Sequence, residues 1–309
     1  MAASRSSNWP APLWTPRFNA RRFLFHRPCA VLFTASKSVE KRVTKNLIEI
    51  KGVTHSYKTA SGLLPVLNNL NLAIPEGEFC AVVGPSGCGK STLTRLIAGL
   101  MFPDSGEVWL HGEKVKSPRK TVGMAFQNPV LLEWRTILQN VILPLEIVAP
   151  KMSKEQKEDR ARKLLAMVGL EGFENKRPSE LSGGMRQRAS LCRSIVHKPD
   201  VLILDEPFGA LDAFTREDLW QLMHQLRAEE PFTALLITHD LRESVYLANQ
   251  VVVLSGRPAT TQAVIEIDVP AGPRPIEMLY SPQSVEWLAQ LRAQIEIAQG
   301  RSDEKRNVA

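Results

Sequence analysis

The chain has 309 residues, 44% hydrophobic and 23% charged, which is ordinary for a soluble globular protein and allows one large domain or two modest ones with a sizeable core. No run of about 18 apolar, uncharged residues occurs, so no segment is expected to cross a membrane by itself and any membrane role falls to a partner. The net charge of +7 sits in a tail: residues 1–46 carry nine Lys or Arg against the single acid Glu40, a net +8 that leaves −1 for the other 263 residues and excludes the basic balance of a dedicated nucleic-acid binder.

That tail is acid-free before Glu40 and rich in Arg, Ser, Pro and aromatics, which reads as a disordered extension. An organellar transit peptide, or translation starting nearer Val43, fits the same composition. The four cysteines, Cys29, Cys80, Cys88 and Cys192, form no CxxC pair and have no clustered histidines, so neither a disulfide framework nor a zinc site is expected and a reducing compartment fits.

From Leu47 the pattern becomes structured. LIEIKGVTHSY alternates as a strand, LNNLNLAI before the turn PEGE reads as a second, and FCAVVG as a short buried third. That third strand runs into GPSGCGKST, Gly84 to Thr92, which fits G-x-x-x-x-G-K-[ST], and STLTRLIAGL then has helical spacing. Strand, Gly-rich loop and helix together make a phosphate cradle: bare backbone N–H groups and a positive helix end face the anion. The residues placed on the nucleotide are Gly84, Pro85, Ser86, Gly87, Cys88, Gly89, Lys90, Ser91 and Thr92; Cys88 reads as a small residue tolerated in a tight turn.

SPRKTVGMAFQN predicts a strand ending at Gln127, and Ser153 to Val168 an amphipathic helix with a Ser start and a Gly169 stop. KPDVLILDEP is a buried strand that delivers Asp205 and Glu206 to its carboxyl end, where ligands bind in open α/β sheets. Coming about 115 residues after a complete phosphate loop, Asp205 can hold Mg²⁺ directly or through water, and Glu206 can take a proton from attacking water, which argues for hydrolysis. EDLWQLMHQLRAEE predicts a helix, TALLITHD and NQVVVLSG two more buried strands, and TTQAVIEIDV a strand-like segment. A Pro/Gly linker, PAGPRP, then leads to a final amphipathic segment from Ser281 to about Gln299. Buried strands alternating with helices imply a mostly parallel sheet, with an inserted helical stretch between Gln127 and Leu181.

Within LSGGMRQR, Leu181 to Arg188, Ser182-Gly183-Gly184 opens a helix and makes a second anion site. One nucleotide does not need two phosphate cradles, so this one is expected to serve a nucleotide bound to another copy.

With these elements in order, the sequence from about Leu47 to Leu254 resembles the ATP-binding subunits of ABC transporters. The resemblance implies an α/β P-loop NTPase core with an antiparallel β subdomain and an inserted α-helical subdomain. The implied boundaries are 1–46 for the extension, 47–256 for the ATPase with its helical part at about 128–185, and 257–309 for a C-terminal strand, linker and helix.

The same resemblance implies residue roles. Tyr57 stacks on adenine, Lys90 meets the β/γ-phosphates of ATP, and Ser91, Gln127 and Asp205 attend Mg²⁺. Gln127 is the Q-loop residue linking nucleotide state to a permease, Glu206 polarises water, Ala210-Leu211-Asp212 is the D-loop, and His239 is the switch histidine. The implied partners are a second copy in a head-to-tail dimer with two sandwiched ATP molecules, a transmembrane permease that holds the ATPase at the cytoplasmic face of the cell (inner) membrane, and indirectly a solute receptor; no nucleic acid is implied. Val130, Leu131, Leu132 and Trp134 are available for a groove receiving a short permease helix.

AFQNPVLLEWRTILQNVILPLEI and LSGRPATTQAVIEIDVPAGPRP resemble the nitrate/sulfonate/taurine importer group, with two departures: Glu133 where that group commonly has Pro, and Met185 in place of the commoner Gln. The alternative is a soluble ABC ATPase of DNA repair or translation. Those usually carry long coiled-coil insertions or tandem nucleotide domains, whereas here Gln127 and Leu181 lie only 54 residues apart and each motif occurs once. A P-loop kinase or GTPase does not explain LSGGM.

Overall fold

A computed structural model describes residues 45–209, 211–269 and 274–300. The basic tail to residue 44, Ala210, most of the Pro/Gly linker and the last nine residues lie outside the described residues.

Strand β1 (Asn46–Thr59) turns tightly into β2 (Gly62–Pro75), pairing Thr59 with Gly62 and Ile48 with Ile74. The second strand is longer than LNNLNLAI predicted, because GLLPV pairs as well despite Pro65. After β3 (Phe79–Val83) and helix α1 (Lys90–Ile97) come β4 (Ser105–Leu110) and β5 (Glu113–Lys114), which the sequence pattern did not single out. Together β2-β1-β4-β5 form an antiparallel sheet.

Strand β6 (Val122–Ala125) ends two residues before Gln127. Three helices follow. Helix α2 (Ile137–Val148) starts with a capping box between Thr136 and Gln139, and α3 (Lys154–Met167) with one between Ser153 and Gln156. Ser182 caps α4 (Gly183–Ile195). The remaining elements are β7 (Val201–Asp205), α5 (Ala213–Glu229), β8 (Thr233–Ile237), α6 (Leu241–Leu247), β9 (Gln250–Leu254), β10 (Thr261–Glu266) and α7 (Pro282–Ala298). Helix α5 starts four residues before the predicted EDLW because Asp212 caps it.

The second sheet has the order β10-β9-β3-β8-β7-β6, parallel except for the antiparallel edge strand β10. Its central strands are buried on both faces and divide their side chains by parity. Phe79, Ala81 and Val83 of β3, with Leu202 and Leu204 of β7, enter one apolar cluster with α2 to α5. Cys80, Val82, Val201 and Ile203 enter the other, with α1 and the antiparallel sheet. The result is a layered α/β domain in which the carboxyl ends of β3, β7 and β8 lie side by side. Among the described residues no helix is long and apolar enough to cross a membrane.

Candidate active site

The Gly84–Thr92 loop joins β3 to α1 and encloses Lys90, which is only 7% exposed. Lys90 Nζ donates to the carbonyls of Gly84 at 2.9 Å and Pro85 at 3.0 Å, so a buried ammonium stands inside the loop, held by neutral groups. Gly89 precedes the helix at φ +115°, and a Cβ there would come 2.6 Å from Val66 Cγ1; only glycine meets both demands. No side chain caps α1 and its first turn has no acid, so its leading N–H groups remain available to an anion. Cys88 is 1% exposed, with burial pushing its thiol pKa up; only its backbone can face a phosphate.

A pocket of about 450 Å³ opens above this loop. Ser86, Gly87, Gly89, Lys90, Ser91 and Thr92 form its polar floor, and Tyr57, Leu64 and Val66 an apolar wall. The Tyr57 hydroxyl shares a 3.1 Å hydrogen bond with Thr92 Oγ1, which fixes the ring against the start of α1. Glu206 and Arg257 complete the lining.

Glu206 follows the last residue of β7 in the left-handed region, φ +47°, a conformation that costs a non-glycine residue roughly 1–3 kcal/mol and clusters at functional sites. Its N–H bonds the Ile237 carbonyl at 2.9 Å, binding the turn to β8. Two groups reach its Oε2: Gln127 Nε2 donates at 3.2 Å, and His239 Nδ1 lies 3.5 Å away. One carboxylate oxygen thus brings together residues from the ends of β6, β7 and β8.

Beside it, Ser91 Oγ donates to Asp205 Oδ1 at 3.3 Å. Burial raises the Asp205 pKa, and the Ser91 hydrogen bond opposes the rise. Among the described residues no group of three or more His, Cys, Asp or Glu could hold a metal. The Ser91 and Asp205 oxygens nevertheless fit a hard cation of the Mg²⁺ kind, which commonly takes one or two protein oxygens and fills its shell from phosphate and water.

Ser182, Gly183, Gly184 and Asp212 do not line this pocket. Ser182 Oγ accepts from Met185 N at 3.3 Å, opening α4 with two bare glycines. Gly184 packs on the start of α5: a Cβ there would come 3.0 Å from Thr215 Cγ2. Asp212 accepts from Thr215 N at 3.0 Å, which holds its carboxyl pKa below the ordinary value. Sequence reading missed Arg257, which lies between β9 and β10. Hydrogen bonds of Ala259 with Val66 and Asn68 bring this segment to the pocket wall, a long-range pairing that no local pattern announces.

A sequence profile described as ABC transporter matches residues 67–209. A bicarbonate transport ATP-binding protein of Synechocystis is 42% identical over 225 residues, 73% of this chain and 79% of that protein. The chain belongs to the ABC transporter family. To this ABC ATPase an aliphatic sulfonates import ATP-binding protein of Bacillus cereus is 38% identical over 223 residues, covering 72% of the chain and 87% of the relative. A dimeric ATP-binding cassette solved in a post-hydrolysis state with ADP and Pi superposes with a TM-score of 0.65 at 32% identity, over 72% of the ABC ATPase and all of the solved chain. The fold is therefore that of an ABC cassette, and its reaction is ATP hydrolysis.

Proposed function

We propose that this ABC ATPase is the motor subunit of an importer, acting as a head-to-tail pair and driving uptake of a small solute of the nitrate, sulfonate, taurine or bicarbonate kind through a separate permease. One observation carries the reading. The chain holds two anion cradles, and the Ser182–Gly184 turn takes no part in lining the pocket built around Lys90. A second copy, turned so that its signature turn covers that pocket, completes both sites at once.

In such a pair Tyr57 receives the adenine and the loop N–H groups the phosphates. Lys90 exchanges the Gly84 and Pro85 carbonyls for phosphate oxygens. Ser91 and Asp205, with Gln127 nearby, would hold Mg²⁺, which when bound neutralises phosphate charge. Glu206 takes the proton of the attacking water. Gln127 and His239, both on Oε2, orient that carboxylate. The incoming Ser182, Gly183 and Gly184 offer donors to the γ-phosphate, and Asp212 lies at the pair's interface.

The permease contact falls on the segment after Gln127. Val130 and Trp134 are 55% and 74% exposed, whereas Leu131 is buried in the helical core, so the apolar face is narrower than the sequence pattern indicated. A cavity of about 370 Å³ between β6, α2 and α4 adjoins it, and Arg193 on the cavity wall donates to the Val130 carbonyl. This arrangement suits a short permease helix; in this reading the ATPase works from the cytoplasmic face of the membrane and the solute receptor contacts the permease.

Mixing Lys90→Ala with Ser182→Arg subunits tests the shared site. Heterodimers keep one intact composite site, so up to about a quarter of native ATPase activity is expected from a mixture of two inactive parents. A mixture no more active than its parents would refute the head-to-tail pairing. Arg257→Ala should raise the Kd for ATP about three- to tenfold with kcat unchanged, measured by equilibrium titration and steady-state rates, since an exposed guanidinium lining the pocket attracts the polyanion but makes no hydrogen bond or ion pair with Glu206 among those of the described residues.

A further inference from the structure

The signature turn and the catalytic carboxylate belong, in the paired reading above, to two different nucleotide sites. A continuous set of contacts joins them inside one chain. Gly184 packs against the loop that opens α5, where a Cβ would lie 3.0 Å from Thr215 Cγ2 and 3.9 Å from Leu211 Cδ2. Arg216, one residue on, spans the next gap with its fork. One nitrogen donates to the Leu211 carbonyl at 3.0 Å, and the other to Asp240 Oδ2 at 2.8 Å.

Asp240 is the immediate neighbour of His239 and is held on every side. Its Oδ1 accepts from the N–H groups of Arg242 and Glu243 at 2.8 and 3.3 Å, capping α6. Its own N–H donates to Thr238 Oγ1 at 3.0 Å. The Thr238 hydroxyl bonds the buried carboxyl of Glu243, whose other oxygen accepts from Trp220 Nε1 at 3.2 Å. Both backbone neighbours of His239 are therefore pinned, while the imidazole between them is 64% exposed with Nδ1 3.5 Å from Glu206 Oε2. Arg216 is the one side chain described here that bonds both the Leu211 turn and this switch-bearing turn.

We propose that Arg216 is a positioning residue: it locks the turn carrying His239 to the loop carrying Leu211, so that engagement of Gly184 by the other subunit's nucleotide sets where His239 stands against Glu206. The proposal rests on the paired reading. A planar two-pronged donor suits the task, because it fixes two acceptors at a set distance and angle where a single-point cation would fix one. Displacement of a catalytic group by about 1 Å is enough to lower a rate up to a hundredfold. Arg216 does not line the nucleotide pocket, so its loss should be read in turnover and in communication between sites, and not in affinity.

The test uses the purified full-length protein. Arg216→Met is expected to lower kcat about tenfold, to leave the KM for ATP within about twofold, and to bring the Hill coefficient of hydrolysis towards one. Asp240→Asn should do the same, and the double variant should lose no more than the worse single one, because the two residues act as a unit. Arg216→Lys keeps one contact and should restore the melting temperature while leaving cooperativity low; it carries the test if the Met variant does not fold. Additive losses in the double variant, or native kcat and Hill coefficient in Arg216→Met, would overturn the proposal. So would a fall in melting temperature alone, with the turnover per folded molecule native. Size-exclusion chromatography with ATP in a Glu206→Gln background separates the two levels. A protein that stays monomeric there overturns the pairing and this proposal together, whereas a dimer whose cooperativity ignores Arg216 overturns this proposal alone.

Discussion

Glu206→Gln is expected to bind ATP with native affinity and to hydrolyse it about 10²–10⁴-fold more slowly, the usual contribution of a general base. The amide fills the same volume, so the turn after β7 keeps its left-handed residue and its N–H bond to Ile237. An amide oxygen still accepts from Gln127, and both phosphate cradles are untouched. What disappears is the proton acceptor. Because product formation reopens the pair in this reading, the variant should accumulate as an ATP-bound dimer. Single-turnover hydrolysis with γ-labelled ATP, alongside size-exclusion chromatography, reads both effects. Hydrolysis within about tenfold of the native rate would remove Glu206 from the role of base.

Lys90→Ala should fail one step earlier, at binding. The ammonium is buried inside the loop, and a charge-assisted hydrogen bond contributes about 1.5–3 kcal/mol, so an increase of about 10- to 100-fold in the Kd for ATP is expected. The substitution also leaves the Gly84 and Pro85 carbonyls without their donor, which favours collapse of the empty loop. Thermal unfolding gives a direct readout, since a ligand at a hundred times its Kd stabilises the folded state by about 2.7 kcal/mol. ATP at a hundred times the native Kd should raise the melting temperature of the native chain and of Glu206→Gln in full, and that of Lys90→Ala by about half as much or less, since its 10- to 100-fold higher Kd leaves only about 1.4 to 0.4 kcal/mol of stabilisation. An equal rise in all three would mean that Lys90 does not hold the phosphates.

Much of the site was legible because its parts are local. A phosphate loop needs glycines, a lysine and a hydroxyl within nine consecutive residues, and a buried strand ending in two carboxylates is a short apolar run. Such patterns survive without knowledge of the fold. The helix starts at Ser153 and Ser182 were equally readable, because capping depends on one side chain and the next three residues. By contrast β4, β5 and α6 escaped notice. The strand β5 has two residues and α6 seven, too few for a period of two or 3.6 to declare itself. The β2 strand was read short because LNNLNLAI starts at Leu67, after GLLPV, whereas Gly62 to Pro65 pair with Ser56 to Thr59 of β1.

By itself the sequence determined the ligand class, the hydrolytic chemistry and two glycine-bearing helix starts, at Gly89 and at Ser182, since each follows from residue types at fixed spacing. Only the tertiary structure decided how these pieces meet. The parallel register that sets Asp205 beside Ile237 brings His239 to Glu206, two residues 33 positions apart, and β6 brings Gln127 to the same oxygen. Pairing of Ala259 with Val66 carries Arg257 to the nucleotide pocket, and the Arg216 fork joins Leu211 to Asp240. The physical reason is the same in each case. Hydrogen-bond geometry and side-chain reach act over a few ångströms in space, and the positions they connect are set by sheet order and packing, which are long-range in sequence.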